Sequence, residues 1–176
     1  MMEKTKQLVY GALFAALTCV ATMSIHIPTP GTGGYIHPGD ALVILSGITL
    51  GPFYGALAAG LGSALADLIG GYFIYVPITF TVKFIIAAVV AIVYRSASKH
   101  GIPKILSCLI CGIFSTIIVA GGYCFFEYFL YGAGAFASVP ANLIQGISGL
   151  IFSIILLPVV SQIPDFRINM KKTVSR

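Results

Sequence analysis

Pro77-Ile-Thr-Phe-Thr-Val-Lys-Phe-Ile-Ile-Ala-Ala-Val-Val-Ala-Ile-Val-Tyr94 carries one charge, Lys83, in eighteen residues, and then breaks into Arg95-Ser-Ala-Ser-Lys99. A helix rises about 1.5 Å per residue, so this stretch reaches about 27 Å, close to the ~30 Å hydrocarbon core of a bilayer. It reads as a membrane span ending in a basic collar. Nine of the ten Lys and Arg residues fall in such collars: Lys4 and Lys6; Arg95, Lys99 and Lys104; Arg167, Lys171, Lys172 and Arg176. With 58% hydrophobic residues, 9% charged residues and a mean hydropathy of +1.00, a soluble monomer is excluded. The net charge of +5 belongs to the positive-inside bias of membrane proteins rather than to a nucleic-acid surface.

Working outward, the first span is expected from Gln7 to Ile27, a retained helix rather than a cleaved signal because no clean small-residue cleavage site follows Leu8 to Ala21. Pro28-Thr-Pro-Gly-Thr-Gly-Gly34 stops it. A second helix runs from Asp40, placed as its cap, to Leu50, short for a crossing unless it is tilted or the protein is locally thin. The third span is Pro52 to Ile69, the fourth Pro77 to Tyr94, the fifth Ile105 to Leu130 with an interruption at Gly121-Gly122, and the sixth Val139 to Val160. The loops at 28–39, 70–76 and 131–138 contain no Lys, Arg, Asp or Glu. Six spans with both termini cytosolic put every basic collar inside, so the expected fold is all-α, an integral membrane bundle of six transmembrane helices, with residues 1–176 as one domain.

Polar side chains gather near the outer ends of the spans: Asp67 in the third, Lys83 in the fourth, Glu127 in the fifth, Asn142 and Gln145 in the sixth. Ionisable groups at such depth are costly and face an interior or a wet cavity. The loops above them supply Tyr35, His37, Tyr72 and Tyr75 as aromatic walls with polar tips. Lys83, Glu127, Asn142 and Gln145 are the candidates for ligand contact; Asp67, beside Gly60, Ala64 and Gly71, is open between a structural and a ligand role. The bland alternative pairs Lys83 with Asp67 or Glu127 merely to hold the bundle together. One cation, one anion, two amides and several aromatics suit a small, planar, polar molecule.

No hydrolase or metalloprotease motif and no phosphate-cradling Gly-Lys-Ser/Thr loop occurs, so this is not read as an enzyme and active transport would need a partner or an ion gradient. His26 and His37 have only Asp40 near them, and Cys108 and Cys111 lack a second pair, so neither a metal site nor any other cofactor is expected. Small residues at spacing four form strips in the first span (Gly11/Ala15 and Ala12/Ala16) and in the third (Ala56, Gly60, Ala64). Such strips let helices approach closely, inside the third span's own bundle and, for the first span, either there or against another protein.

The segments Gly34-Tyr-Ile-His-Pro-Gly-Asp-Ala41, Gly51-Pro-Phe-Tyr-Gly-Ala-Leu-Ala-Ala-Gly-Leu-Gly-Ser-Ala-Leu-Ala-Asp67 and Gly70-Gly-Tyr72, with Pro77 and Lys83, resemble the substrate-binding S components of energy-coupling factor (ECF) vitamin transporters. The likeness is good over the first four helices and extends to the last two in length and pattern only. It implies a six-helix protein of the bacterial cytoplasmic membrane that binds a vitamin or precursor from outside and docks on a transmembrane T component with two cytosolic ATPases. It also implies that Ala12 and Ala16 form the T-component strip and that the pocket lies toward the outer ends of helices four to six. The branch resembled is that for riboflavin, hydroxymethylpyrimidine or pyridoxine-like compounds, the smaller ligands being favoured. The rival readings are a membrane scaffold or assembly subunit and an independent proton-coupled carrier using Asp67, Lys83 and Glu127.

Overall fold

A computed structural model describes residues 4–28, 35–167 and 170. The apolar segments form six helices: α1 Lys4–Ser24, α2 Asp40–Leu50, α3 Tyr54–Ile69, α4 Val76–Lys99, α5 Lys104–Tyr131 and α6 Val139–Val160. Two-residue strands β1 Ile27–Pro28 and β2 Tyr35–Ile36 pair antiparallel between α1 and α2, and a 3-10 turn, Gly132–Ser138, joins α5 to α6. The six-helix expectation holds. The first helix begins and ends three residues earlier than expected, and α4 runs on through the basic break to Lys99. Residues 29–34 and the tail cations Lys171, Lys172 and Arg176 lie outside the described residues.

α1, α4 and the α5–α6 pair are long and apolar enough to cross a membrane, whereas α2 and α3 are shorter. The shortness of α2 has a packing reason. Ten of its eleven residues are buried, and it contacts α1, α3, α4 and α6. A helix that meets protein on every side need not match the bilayer thickness, which constrains lipid-facing surface. Lipid-facing Leu, Ile and Phe are spread over α1, α3, α4, α5 and α6 instead, as at Leu8, Ile92, Ile117 and Ile155.

Glycines set how closely α2 and its neighbours approach. A Cβ on Gly47 would run into the Ala87 carbonyl of α4, one on Gly149 of α6 would lie 2.6 Å from Asp40 Cβ, and one on Gly62 of α3 would strike Ala15 O and lie 2.9 Å from Thr18 Cβ of α1. The Ala15/Thr18 side of α1 thus seals against α3, and the third span's small residues serve internal packing. Ala12 and Ala16 are exposed, among Leu8, Val9, Leu13, Leu17 and Val20. The Gly121-Gly122 pair does not interrupt α5, a correction to the expected break: the helix continues, and Gly122 makes room for Val82 of α4, 3.1 Å from its would-be Cβ.

After α6 the chain folds back beneath α1. Asp165 accepts hydrogen bonds from Lys6 Nζ at 3.0 Å and Tyr10 OH at 2.9 Å, and Phe166, buried, packs its ring 4.6 Å from Tyr10 and 5.8 Å from Phe14. The hydrogen bonds from Lys6 and Tyr10 hold the half-buried Asp165 carboxyl below its usual pKa. Gly62→Leu should force α1 off α3 and lower stability by about 1–3 kcal/mol, the usual range for overpacking. Thermal unfolding in detergent reads this, and an unchanged melting temperature would show that α1 is not held at that contact.

Candidate functional site

The polar side chains fall on helical stripes. Tyr75, Thr79 and Lys83 repeat every four residues on α4, Tyr123 and Glu127 do so on α5, and Ser138 and Asn142 do so at the head of α6. Residues four apart stack on one helix face, so each stripe delivers a column of polar groups to the interior. The columns meet α3, which contributes Asp67, and the segment after β1, which contributes Tyr35 and His37.

Lys83 lies at the lower level. It is wholly buried and forms an ion pair with Asp40 Oδ1, equally buried, at the start of α2. Gln145 Nε2 donates to Asp40 Oδ2 at 3.0 Å, while its Oε1 accepts the His37 backbone N–H at 3.2 Å. Two expectations are corrected here. Asp40 does not cap α2: Gly39 holds the N-cap position, with no side-chain cap bond, and the carboxylate turns inward to the Lys83 ammonium. Lys83 pairs with neither Asp67 nor Glu127, because Gly149 lets α6 close over Asp40 and fixes that carboxylate beside the ammonium. Lys83 Nζ also lies 5.3 Å from the centroid of the Tyr123 ring.

Above this base, Tyr35, His37, Asp67, Tyr75, Thr79, Tyr123, Glu127 and Asn142 line a cavity of about 20 Å³, enough for about one water. Tyr35 OH donates to Asp67 Oδ1 at 2.7 Å, and Asp67 Oδ2, though buried, has no hydrogen-bond partner among the described residues. Glu127 receives Tyr75 OH on Oε1 at 3.0 Å and the Ser138 hydroxyl on Oε2, while Asn142 Nδ2 donates to Ser138 Oγ at 3.3 Å. Tyr123 OH donates to Thr79 at 3.0 Å.

Of the eight ligand candidates, Tyr35, His37, Tyr75, Glu127 and Asn142 line this cavity. Tyr72 stands behind Tyr35 with ring centroids 4.5 Å apart, and Lys83 and Gln145 form the supporting layer. Asp67, left open by the sequence, is in the wall. Thr79, Tyr123 and Ser138 were missed; the spacing of four from Tyr75, Lys83, Glu127 and Asn142 was the signal that could have found them. Among the described residues no group of three or more His, Cys, Asp or Glu side chains is placed to hold a metal.

His37 is neutral. Its Nδ1 accepts the Gly39 N–H at 3.1 Å, which leaves the proton on Nε2. Burial, and then the nearby Lys83 charge, push its pKa down to about 3. Burial and the bond to Asp67 push the Tyr35 phenol upward, so it remains a donor.

The chain matches over residues 2–162 the family model described as ECF-type riboflavin transporter, S component. It is 35% identical over 133 residues to a Pyrococcus woesei protein described as an uncharacterised protein in the gap 3′ region, covering 75% of this chain and 86% of that one. Its fold is similar to a solved structure described as the S component of a bacterial ECF transporter, with a TM-score of 0.66, 21% identity, and coverage of 91% of this chain and 98% of the other. The chain belongs to the ECF riboflavin-type S-component family, and is a multi-pass membrane transporter component.

Two outcomes test the site. Lys83→Met strands the buried Asp40 charge and should cost about 3–5 kcal/mol, whereas Lys83→Met combined with Asp40→Leu should recover most of it; denaturant or thermal unfolding reads both, and equal loss in the two would dissolve the ion-pair account. The unfolded chain protonates His37 near pH 6.5 while the folded one resists to about pH 3, so the unfolded state binds the extra proton in that window. Stability should fall by about 2 kcal/mol from pH 6.5 to 5. His37→Gln should flatten that slope in a melting-temperature profile.

Proposed function

We propose that this chain is the high-affinity capture subunit for a small water-soluble vitamin or precursor, taken up by an ATP-driven ECF transporter. The observation that carries this is the convergence of polar and aromatic groups from five elements on one cavity. The ligand seats against Tyr35, His37, Tyr75, Glu127 and Asn142. Tyr72 backs the aromatic wall, and Lys83 and Gln145 hold the floor and the His37 segment in place. The carboxylates and amide take ring-edge donors and acceptors while the tyrosines cover ring faces.

The cavity is small and closed by side chains that a ligand must displace, which supports a hydroxymethylpyrimidine- or pyridoxine-like ring. Riboflavin is the second reading, favoured by the description of the matching family. The proposed setting is the bacterial cytoplasmic membrane with both termini cytosolic and the cavity facing out, as the positions of Lys6, Arg95, Lys99, Lys104 and Arg167 at the opposite ends of the helices support. A T component docks along the exposed Ala12/Ala16 strip of α1, and two ATPases, supplied by the partners, power uptake. The scaffold and proton-carrier readings lose weight because Lys83 is spent on Asp40 while Asp67 and Glu127 face a cavity.

Calorimetric titration with hydroxymethylpyrimidine, pyridoxine and riboflavin should give tight binding by one of them. Glu127→Gln and Asn142→Ala should each weaken it by about tenfold or more while the protein remains folded. Unchanged affinity in both variants would place the ligand elsewhere. Ala12→Leu or Ala16→Leu should reduce co-purification with a T component and leave the titration unaltered; equal recovery would remove the docking assignment.

A further inference from the structure

We infer that the pocket selects by charge: it accepts uncharged, donor-rich or cationic heterocycles and rejects anionic relatives such as phosphate esters, with Asp67 as the specificity-determining residue. This rests on the ligand-capture reading above and adds to it the chemical class of the ligand.

A charge inventory of the cavity leads there. Among the described residues the lining contains two carboxylic acids, Asp67 and Glu127, and no lysine or arginine. The nearest ammonium, Lys83, has no solvent contact and is matched by Asp40, so the pair presents no net charge to the space above. His37 donates through Nε2 as a neutral ring. His26 packs edge-on to Tyr35, 4.2 Å between centroids, and is absent from the lining. The remaining lysines and arginines all belong to the basic collars.

The acceptors of the two acids are unequally used. Both Glu127 oxygens already take a hydroxyl, from Tyr75 and Ser138. Asp67 takes Tyr35 on Oδ1, and among the described residues no donor stands at hydrogen-bond geometry to its buried Oδ2. A carboxylate offers about four lone-pair sites, so Asp67 is the wall group with the largest unmet demand for a donor. An amino group, a ring N–H or a hydroxyl of the ligand completes it. A phosphate or carboxylate oxygen offers only lone pairs to lone pairs, in a site shielded from screening ions.

The test is calorimetric titration of the full chain with three matched pairs: hydroxymethylpyrimidine against its phosphate ester, pyridoxine against pyridoxine 5′-phosphate, and riboflavin against riboflavin 5′-phosphate. In whichever pair binds, the free form should bind about tenfold or more tightly than the phosphate ester at low salt. Asp67→Asn should narrow that ratio, an outcome that bulk alone would not produce because the ester is the same size in both proteins. Should that variant fail to fold, Glu127→Gln provides the same comparison. Free and phosphorylated forms binding within about threefold, or an unchanged ratio in the folded variant, overturns charge selection while leaving capture intact. No binding by any of the six compounds overturns the capture reading itself, and this inference with it.

Discussion

A lysine ammonium and an aspartate carboxylate, neither touching solvent, hold the centre of this bundle. Ions removed from water are stable only when matched, and here the match joins α4 to α2, while Gln145 brings α6 onto the same carboxylate. That single junction explains several otherwise separate features. α2 sits at the axis because its first residue is the anion; Gly149 is required because α6 must lie against Asp40; and His37 is fixed because the other end of Gln145 binds its backbone. A buried pair of this kind adds little net stability over an apolar substitute, but losing one partner is costly, so it specifies an arrangement more than it strengthens one.

The consequence for the site is a division of labour by depth. The lower layer is electrically closed and serves as a floor. The upper layer keeps hydrogen-bonding capacity in reserve: an Asp67 oxygen without a partner among the described residues, a neutral imidazole with one ring N–H, and an asparagine bound through one amide hydrogen. Because Tyr35, Tyr75 and Ser138 bond to the two acids, the walls hold one another around a space of about one water. In the proposed capture role, a ligand would exchange these internal hydrogen bonds for its own.

Much of the architecture was legible in the sequence. Hydrophobic runs of known length, Pro at helix starts as at Pro77, and charge-free loops were sufficient to expect six helices and to place α2 and α6 at the bounds observed. Depth was legible in part, since position along a span converts into height: of the five residues it gathered, Asp67, Glu127 and Asn142 line the cavity, whereas Lys83 and Gln145 form the layer that holds Asp40. Partnership was not. Asp40 and Lys83 are 43 positions apart, and nothing local distinguishes an aspartate that caps a helix from one that turns inward; the rotation of α2 against α4, set by Gly47 and Gly149, decides it. The glycine pair in α5 misled for the same reason, because whether Gly122 breaks a helix or admits Val82 depends on a neighbour the local sequence does not reveal.

The central claim is that these walls are built to hold a heteroaromatic vitamin or precursor. The most direct measurement is mass spectrometry of the small molecules released by denaturing the protein after gentle purification from vitamin-replete cells. The account predicts one heteroaromatic compound in near-stoichiometric amount. A protein that is folded by its thermal melt and releases no such compound would contradict it.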